Sequence, residues 1–245
     1  MIRSDLKKYI DRISGKVLNK IVIKPWMEQW AVSIVEGILM SLQPQMSLEW
    51  GAGQSTIYFP KFLSKGAKWI SVEHDGSWAR KINDRLQFHP LFERLGLCEC
   101  SEFYLPGKFQ DFGRKTIEPI VRVLKRCNKK SNLQVFHVPP DHFPWTDEFG
   151  DGSYSDLMNY IEFPSKFGYF DFILIDGRAR KDCLIKAYEL VKDKGVVTLH
   201  DAGRKYYHEP FDLYKYQVLF SDRRNDESGL WLGSNGVDIK SLLHV

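Results

Sequence analysis

The segment Leu48-Glu49-Trp50-Gly51-Ala52-Gly53-Gln54-Ser55-Thr56 gathers a carboxylate, two glycines and two hydroxyls at a point where a short apolar run gives way to a helical pattern. Gly51 and Gly53 permit backbone angles and a close ligand approach that a Cβ would obstruct. Ser55 and Thr56 fall where the N-terminus of a helix can receive a carboxylate. A nucleotide-like ligand is implied. The next apolar run, Trp69-Ile70-Ser71-Val72, ends in Glu73 and is followed by His74. It lies about 20 residues beyond the glycines, where a carboxylate accepts both ribose hydroxyls.

The choice of ligand turns on Glu49. A carboxylate ending the strand before the glycines repels the pyrophosphate of a dinucleotide and attracts the ammonium group of S-adenosylmethionine. The third glycine of G-x-G-x-x-G is also missing, since Thr56 holds its place. The expected cofactor contacts are therefore Glu49, Gly51, Ala52, Gly53, Ser55, Thr56, Glu73 and His74, joined by Asp176 and Gly177 from a later strand end.

A second set carries the chemistry. Asp176 ends the apolar run Phe170 to Ile175, and His200-Asp201 ends Val196 to Leu199. In an open α/β sheet the carboxyl ends of the strands face one crevice, which brings two carboxylates and an imidazole beside the reacting group. These residues can deprotonate an acceptor hydroxyl, with His200 or Asp201 as the base. They can equally hold a divalent cation that lowers the hydroxyl pKa, and two unpaired carboxylates favour a cation or a basic residue such as Arg204 between them. The plainer alternative makes Asp176 a helix cap and Asp201 a turn residue. Arg178 and Arg180 can clamp an anionic substrate bidentately, or be solvated or paired with acidic neighbours. Trp78 covers an adenine or packs its helix, Cys183 reads as a small buried residue, and Val138-Pro139-Pro140-Asp141 reads as a chain redirector.

Positioning these residues requires alternating strands and helices. Apolar spacing predicts strands at Ser47–Trp50, Lys68–Glu73, Leu133–Val138, Phe170–Asp176 and Val196–His200, with helices at Ser55–Leu63, Ser77–Phe88 and Lys181–Lys192. The result is an α/β, doubly wound, mostly parallel sheet. Tyr216–Asp222 and Leu230–Ser234, joined by the polar turn Arg223–Gly229, close it with an antiparallel hairpin. Residues 1–45 carry two leading helices, marked by Leu6, Ile10, Ile13 and Val17, then by Trp30, Ile34, Ile38 and Leu42. Residues 46–245 form the ligand-binding domain, with an insertion at about 90–131 that holds a basic helical piece, Ile117–Lys130.

Through the glycine loop and Glu73 the chain resembles the Rossmann-like (class I) S-adenosylmethionine-dependent methyltransferases over about residues 46 to 235. It is most similar to bacterial small-molecule methyltransferases with a D-G-R-x-R-x-x-C block, here Asp176-Gly177-Arg178-Ala179-Arg180-Lys181-Asp182-Cys183. More distantly it resembles the plant glucuronoxylan methyltransferases, through Glu73-His74-Asp75-Gly76-Ser77-Trp78 and His200-Asp201. The resemblance implies that Glu49, Gly51, Gly53, Ser55 and Thr56 hold the methionine end of the cofactor and Glu73 its ribose. It departs from the bacterial pattern at His200-Asp201-Ala202, where Asp-Asn or Asp-Asn-Ser is usual. In catechol-type relatives the metal ligands also follow the fourth and fifth strands, which makes Asp176, His200 and Asp201 the corresponding candidates here.

Composition narrows the setting. A chain of 245 residues with 43% hydrophobic and 27% charged residues is neither disordered nor fibrous. Its 35 basic and 31 acidic residues give a net charge of +4, which does not by itself select nucleic acid. The basic run Arg122–Lys130 lacks the interleaved aromatics of a single-strand platform. Cys98, Cys100, Cys127 and Cys183 form no C-x-x-C pair, and Trp30–Leu42 is too short to span a bilayer. The expectation is a cytoplasmic O-methyltransferase with a small-molecule acceptor such as a sugar or natural product. An RNA methyltransferase and a cofactor-binding module without catalysis are the alternatives.

Overall fold

The computed structural model describes residues 24–88, 97–104, 120–126, 131–145, 147–222 and 225–243. The first leading helix expected, around Leu6 to Val17, lies outside them. The second is α1 (Gln29–Leu42), which buries Ala31, Val32, Val35, Ile38 and Leu39 on one stripe and ends at Gln43 in the left-handed conformation.

Five strands form the parallel part of the sheet: β1 (Met46–Trp50), β2 (Ala67–Glu73), β5 (Ser131–His137), β6 (Phe170–Ile175) and β7 (Val191–His200). With β8 (Tyr216–Asp222) and β9 (Asn225–Ser234) they make a seven-stranded sheet in the order β5-β2-β1-β6-β7-β9-β8. The pairings β1·β2, β2·β5, β1·β6 and β6·β7 are parallel, and β9 runs antiparallel to both β7 and β8. The chain therefore builds outward from β1 to β5, then returns to the other side of β1 with β6. That reversal is the topological switch point, and its crevice lies beyond the ends of β1 and β6.

Between the strands run α2 (Gln54–Tyr58), α3 (Gly76–Phe88), α4 (Met158–Glu162) and α5 (Arg180–Leu190), and α6 (Ile239–Leu243) follows β9. One face of the sheet packs Leu48, Trp50, Ile173, Leu184 and Trp231, and the other Val35, Trp69, Phe172 and Leu232, so both sides are covered. The alternation of Leu48/Trp50 with Ser47/Glu49 along β1 assigns the side chains to opposite faces.

Several expected boundaries move. The helix expected from Ser55 to Leu63 stops at Tyr58 and continues as a 3-10 turn, Phe59–Phe62, because Pro60 cannot donate the next helical hydrogen bond. β7 begins at Val191, five residues early, with a register shift between Phe170 and Phe172 of its partner strand. β9 begins at Asn225, inside the stretch expected to be turn, and Gly229 pairs with Ser221 within the ladder. The largest correction is in the insertion: the expected helix Ile117–Lys130 contains β4 (Ile120–Arg126), paired antiparallel with β3 (Leu97–Tyr104). Its Ile120, Val121 and Val123 are β-branched, and cross-strand pairing with β3 outweighs the helical spacing of the charges.

Candidate functional site

The crevice is closed at its base by two glycines. Gly51 leaves β1 with φ at +94°, and a Cβ there would lie 2.5 Å from the backbone of Gly177, which leaves β6. A Cβ on Gly177 would in turn meet the Tyr160 hydroxyl at 2.1 Å. The glycine requirement at position 51 thus comes first from the chain crossing itself at the switch point, and not from the ligand as the sequence alone suggested. Gly53 is different, since a Cβ there meets nothing closer than Ser55 Oγ at 3.5 Å.

Glu49 is the main correction to the expected site. Its side chain is 0% exposed and lies beneath the loop. One carboxylate oxygen accepts from Ser55 Oγ, and the other from Thr56 Oγ1 (2.7 Å), Trp69 Nε1 (2.9 Å) and Ser71 Oγ. Thr56 Oγ1 also accepts from Gly53 N–H at 2.8 Å, which closes the turn. The hydroxyls of Ser55 and Thr56 therefore donate to the carboxylate behind them, while Ser55 also lines the cleft. Burial pushes the Glu49 carboxyl up to about 7, against four side-chain hydrogen bonds that favour the charged form.

Above the loop opens a cleft of about 410 Å³, lined among others by Gly51, Ala52, Gly53, Glu73, His74 and Trp78. Glu73 ends β2, and its Oε1 accepts from Asp75 N–H at 2.8 Å and faces His74 Nδ1 at 2.9 Å. Its Oε2 makes no hydrogen bond among the described residues. Asp75 caps the start of α3 through the N–H groups of Ser77 and Trp78, which fixes the helix that carries Trp78. Trp78 both lines the cleft and packs on the core, and its Nε1 donates to Ala52 O at 2.6 Å. Trp26, from the segment before α1, lies against Trp78 with ring centroids 5.2 Å apart and also lines the cleft.

Asp176, His200 and Asp201 do come together, through Arg180. His200 Nδ1 lies 2.9 Å from Asp176 Oδ1. Arg180 reaches Asp176 with Nη2 (3.3 Å) and Asp201 with Nη1 (3.1 Å), and it donates to His200 O and Gly177 O. It is buried, and its guanidinium supplies the positive charge between the two carboxylates. Arg204, the residue singled out for that place from sequence, only approaches Asp201 at 3.8 Å. Burial raises the Asp176 carboxyl, but the His200 imidazole and then Arg180 outweigh it and hold it below its ordinary value. For His200 burial works downward, while Asp176 and then Asp201 raise it above 6.5. Asp201 itself sits at φ +55°, a left-handed position that a non-glycine residue adopts only where its surroundings hold it.

One residue of this cluster left no signal in the sequence. Glu28, just before α1, places Oε2 3.5 Å from His200 Nε2, and both atoms are buried without a hydrogen bond among the described residues. A lone glutamate ahead of an apolar helix reads as a helix-start charge, and only the packing of α1 against the sheet brings it to His200. Asp176, Gly177, Arg178 and Arg180 line the cleft directly. Cys183 is fully buried with its thiol on Arg178 O, and burial pushes it well above its ordinary pKa, so it is no nucleophile. Asp141 accepts from Asn159 N–H at 2.8 Å and so ties the Pro-Pro turn to α4.

No helix among the described residues is long and apolar enough to cross a membrane. No protein-family model and no curated protein matches the chain. Among solved structures it is similar to a methyltransferase-like protein from Silicibacter pomeroyi, at 14% identity over 91% of this chain and 96% of that one, with a TM-score of 0.51. It is also similar to an O-methyltransferase from Bacillus cereus in complex with SAH (S-adenosylhomocysteine), at 11% identity over 94% of this chain and 90% of that one, with a TM-score of 0.51. At such identities the shared property is architecture, and the chain has the mostly parallel α/β fold of these methyltransferases.

Proposed function

We propose that the chain is an S-adenosylmethionine-dependent methyltransferase that methylates a hydroxyl of a small molecule. The observation that carries this is Glu73, a carboxylate at the carboxyl end of β2 that lines the switch-point cleft, with one oxygen free of hydrogen bonds among the described residues. The residues present fit the cofactor. Glu73 would hold the ribose hydroxyls, and the turn Gly51-Ala52-Gly53 with Ser55 would line the methionine end. His74, Trp78, Asp176 and Gly177 complete the walls. Glu49 and Thr56 would act from beneath by holding the turn in shape. A cleft of about 410 Å³ is of small-molecule size. The SAH held by the Bacillus cereus O-methyltransferase supports the same reading for a chain of this fold.

When bound, the cofactor supplies a methyl group on a sulfonium, so the protein's own task is alignment and the handling of one proton. His200 suits that task. With Nδ1–H held by Asp176, Nε2 is left to take the acceptor's proton, and Asp176 stabilises the imidazolium that results. An acceptor hydroxyl reaching Nε2 would displace the Glu28 carboxylate that now faces it. Arg180 holds Asp176 and Asp201 in place through its ion pairs with both.

A second reading is kept alive by one observation: Asp176, His200 and Asp201 each offer a ligand atom within 4.8 Å of the others, a spacing that can hold a divalent cation. Against it, Asp176 Oδ1 is committed to His200 and Arg180, and the guanidinium already neutralises the pair. We therefore expect methyl transfer to survive exhaustive chelation. Activity lost to chelator and restored by magnesium or manganese would replace the base mechanism with the metal one.

The cofactor assignment is tested by calorimetry with SAH. Glu73→Ala is expected to weaken binding by about 1–3 kcal/mol, the loss of charge-assisted hydrogen bonds to the ribose. Equal affinities in wild type and variant would remove the assignment. A panel of sugars, phenols and RNA then tests the acceptor class, and transfer to RNA alone would overturn the small-molecule reading.

A further inference from the structure

The D-G-R-x-R block carries two arginines, and the fold gives them opposite fates. Arg180 is buried and its guanidinium is used up on Gly177 O, His200 O, Asp176 and Asp201. Arg178 lines the cleft with its side chain 42% exposed. Its guanidinium makes no hydrogen bond among the described residues. The nearest carboxylate, Asp151 Oδ1, is 3.8 Å from Nη1, an ion-pair distance that leaves the N–H groups unspent. Trp145 lies 5.6 Å from the guanidinium carbon, which restricts the side chain at little expense of its donors. The loop carrying Asp151 is itself anchored, because Asp151 O accepts from Ala179 N–H (2.7 Å) and Asp151 Oδ2 from Arg180 N–H (3.0 Å).

The result is a planar five-donor fork, held beside Asp151 and Trp145 and facing the cleft, with its N–H groups free of hydrogen bonds among the described residues. Arg178 follows Asp176 by two residues, so it enters the cleft from β6, the strand whose end also carries the partner of His200. A fork of this kind matches two oxygens of one anionic group and discriminates against neutral ligands, which leave its donors unpaired. We infer that Arg178 is the specificity-determining anchor for an acceptor bearing an anionic oxy-group, a carboxylate or a phosphate, near the hydroxyl to be methylated. The word acceptor rests on the methyltransferase reading above; the anion site itself does not.

The test is calorimetric binding of three probes, 4-hydroxybenzoate, 4-hydroxyphenyl phosphate and neutral 4-methylphenol, to the full chain with and without saturating SAH. Wild type is expected to prefer at least one anionic probe over 4-methylphenol by ten-fold or more. Arg178→Gln is expected to lose that preference about ten- to hundred-fold, the scale of a charged hydrogen-bonded pair. Arg178→Lys keeps the charge without the fork, so it should restore part of the phosphate preference and less of the carboxylate preference. Which anion binds more tightly in wild type separates the two sources.

A wild type without anion preference, or a folded Arg178→Gln with the preference intact, would overturn the inference. So would anion binding that SAH abolishes, since Arg178 would then serve the cofactor's own carboxylate. A chain that fails to bind SAH but keeps Arg178-dependent anion binding would overturn the methyltransferase reading and leave the anion site standing.

Discussion

His200→Ala is expected to lower kcat by roughly 10²- to 10⁴-fold, the contribution of a positioned general base. His200 does not line the cofactor cleft, so SAH affinity should change far less than kcat. The wild-type enzyme should also show a rate that rises with pH and levels off. Only neutral His200 accepts a proton, and its partners Asp176 and Asp201 raise its pKa above 6.5. The rising limb should therefore fall above that value and disappear in His200→Ala. Steady-state kinetics with a methyl acceptor across pH 5.5 to 9 would check both points. A variant with wild-type kcat, or one with the same limb, would take the base role away from His200.

The second large effect is on stability. Glu49 titrates at about 7 in the folded protein and at 4.5 when unperturbed, because burial disfavours its charged form. Below 4.5 both states carry the proton, and no differential exists. As the pH rises from there to about 7, the unfolded chain releases the proton first, so the folded state loses stability; above 7 the loss is complete. At about 1.4 kcal/mol per pH unit the full loss comes to about 3.5 kcal/mol. Glu49→Gln cannot titrate. Urea unfolding of both proteins at pH 5 and pH 8 should therefore show the variant gaining about 2–3 kcal/mol on wild type over that interval. A difference that stays constant with pH would mean that the four hydrogen bonds hold the carboxyl at an ordinary pKa despite its burial.

Both predictions concern residues whose type was legible in the sequence and whose surroundings were not. The glycine loop, Glu73, and the strand ends at Asp176 and His200 could be read from one-dimensional patterns, because the carboxyl ends of parallel strands share one edge of the sheet. His200 and Asp201 were placed beside Asp176 on that ground alone, and they are there. Side-chain direction was another matter. Glu49 was expected to present its charge to a ligand, yet it accepts hydrogen bonds from Trp69 and Ser71 of β2, residues 20 and 22 positions away. Nothing local to the loop indicates that those donors stand on the neighbouring strand in matching register.

Arg178 and Arg180 show the same division at closer range. Two arginines two residues apart in one motif are indistinguishable in sequence. The left-handed turn at Ala179 and the first turn of α5 bury one in ion pairs with Asp176 and Asp201 and leave the other partly exposed, although both line the cleft. In β4 the error ran the other way, since helical spacing was present but the pairing partner β3 was not visible. What the sequence determined by itself is the alternation of the main sheet's strands with helices, and the residues delivered to the carboxyl ends of those strands. Their assignment as ligand, support or bridge was decided only in the folded state. Hydrogen bonds and ion pairs form over about 3 Å, between atoms that the chain brings together from strands far apart in number.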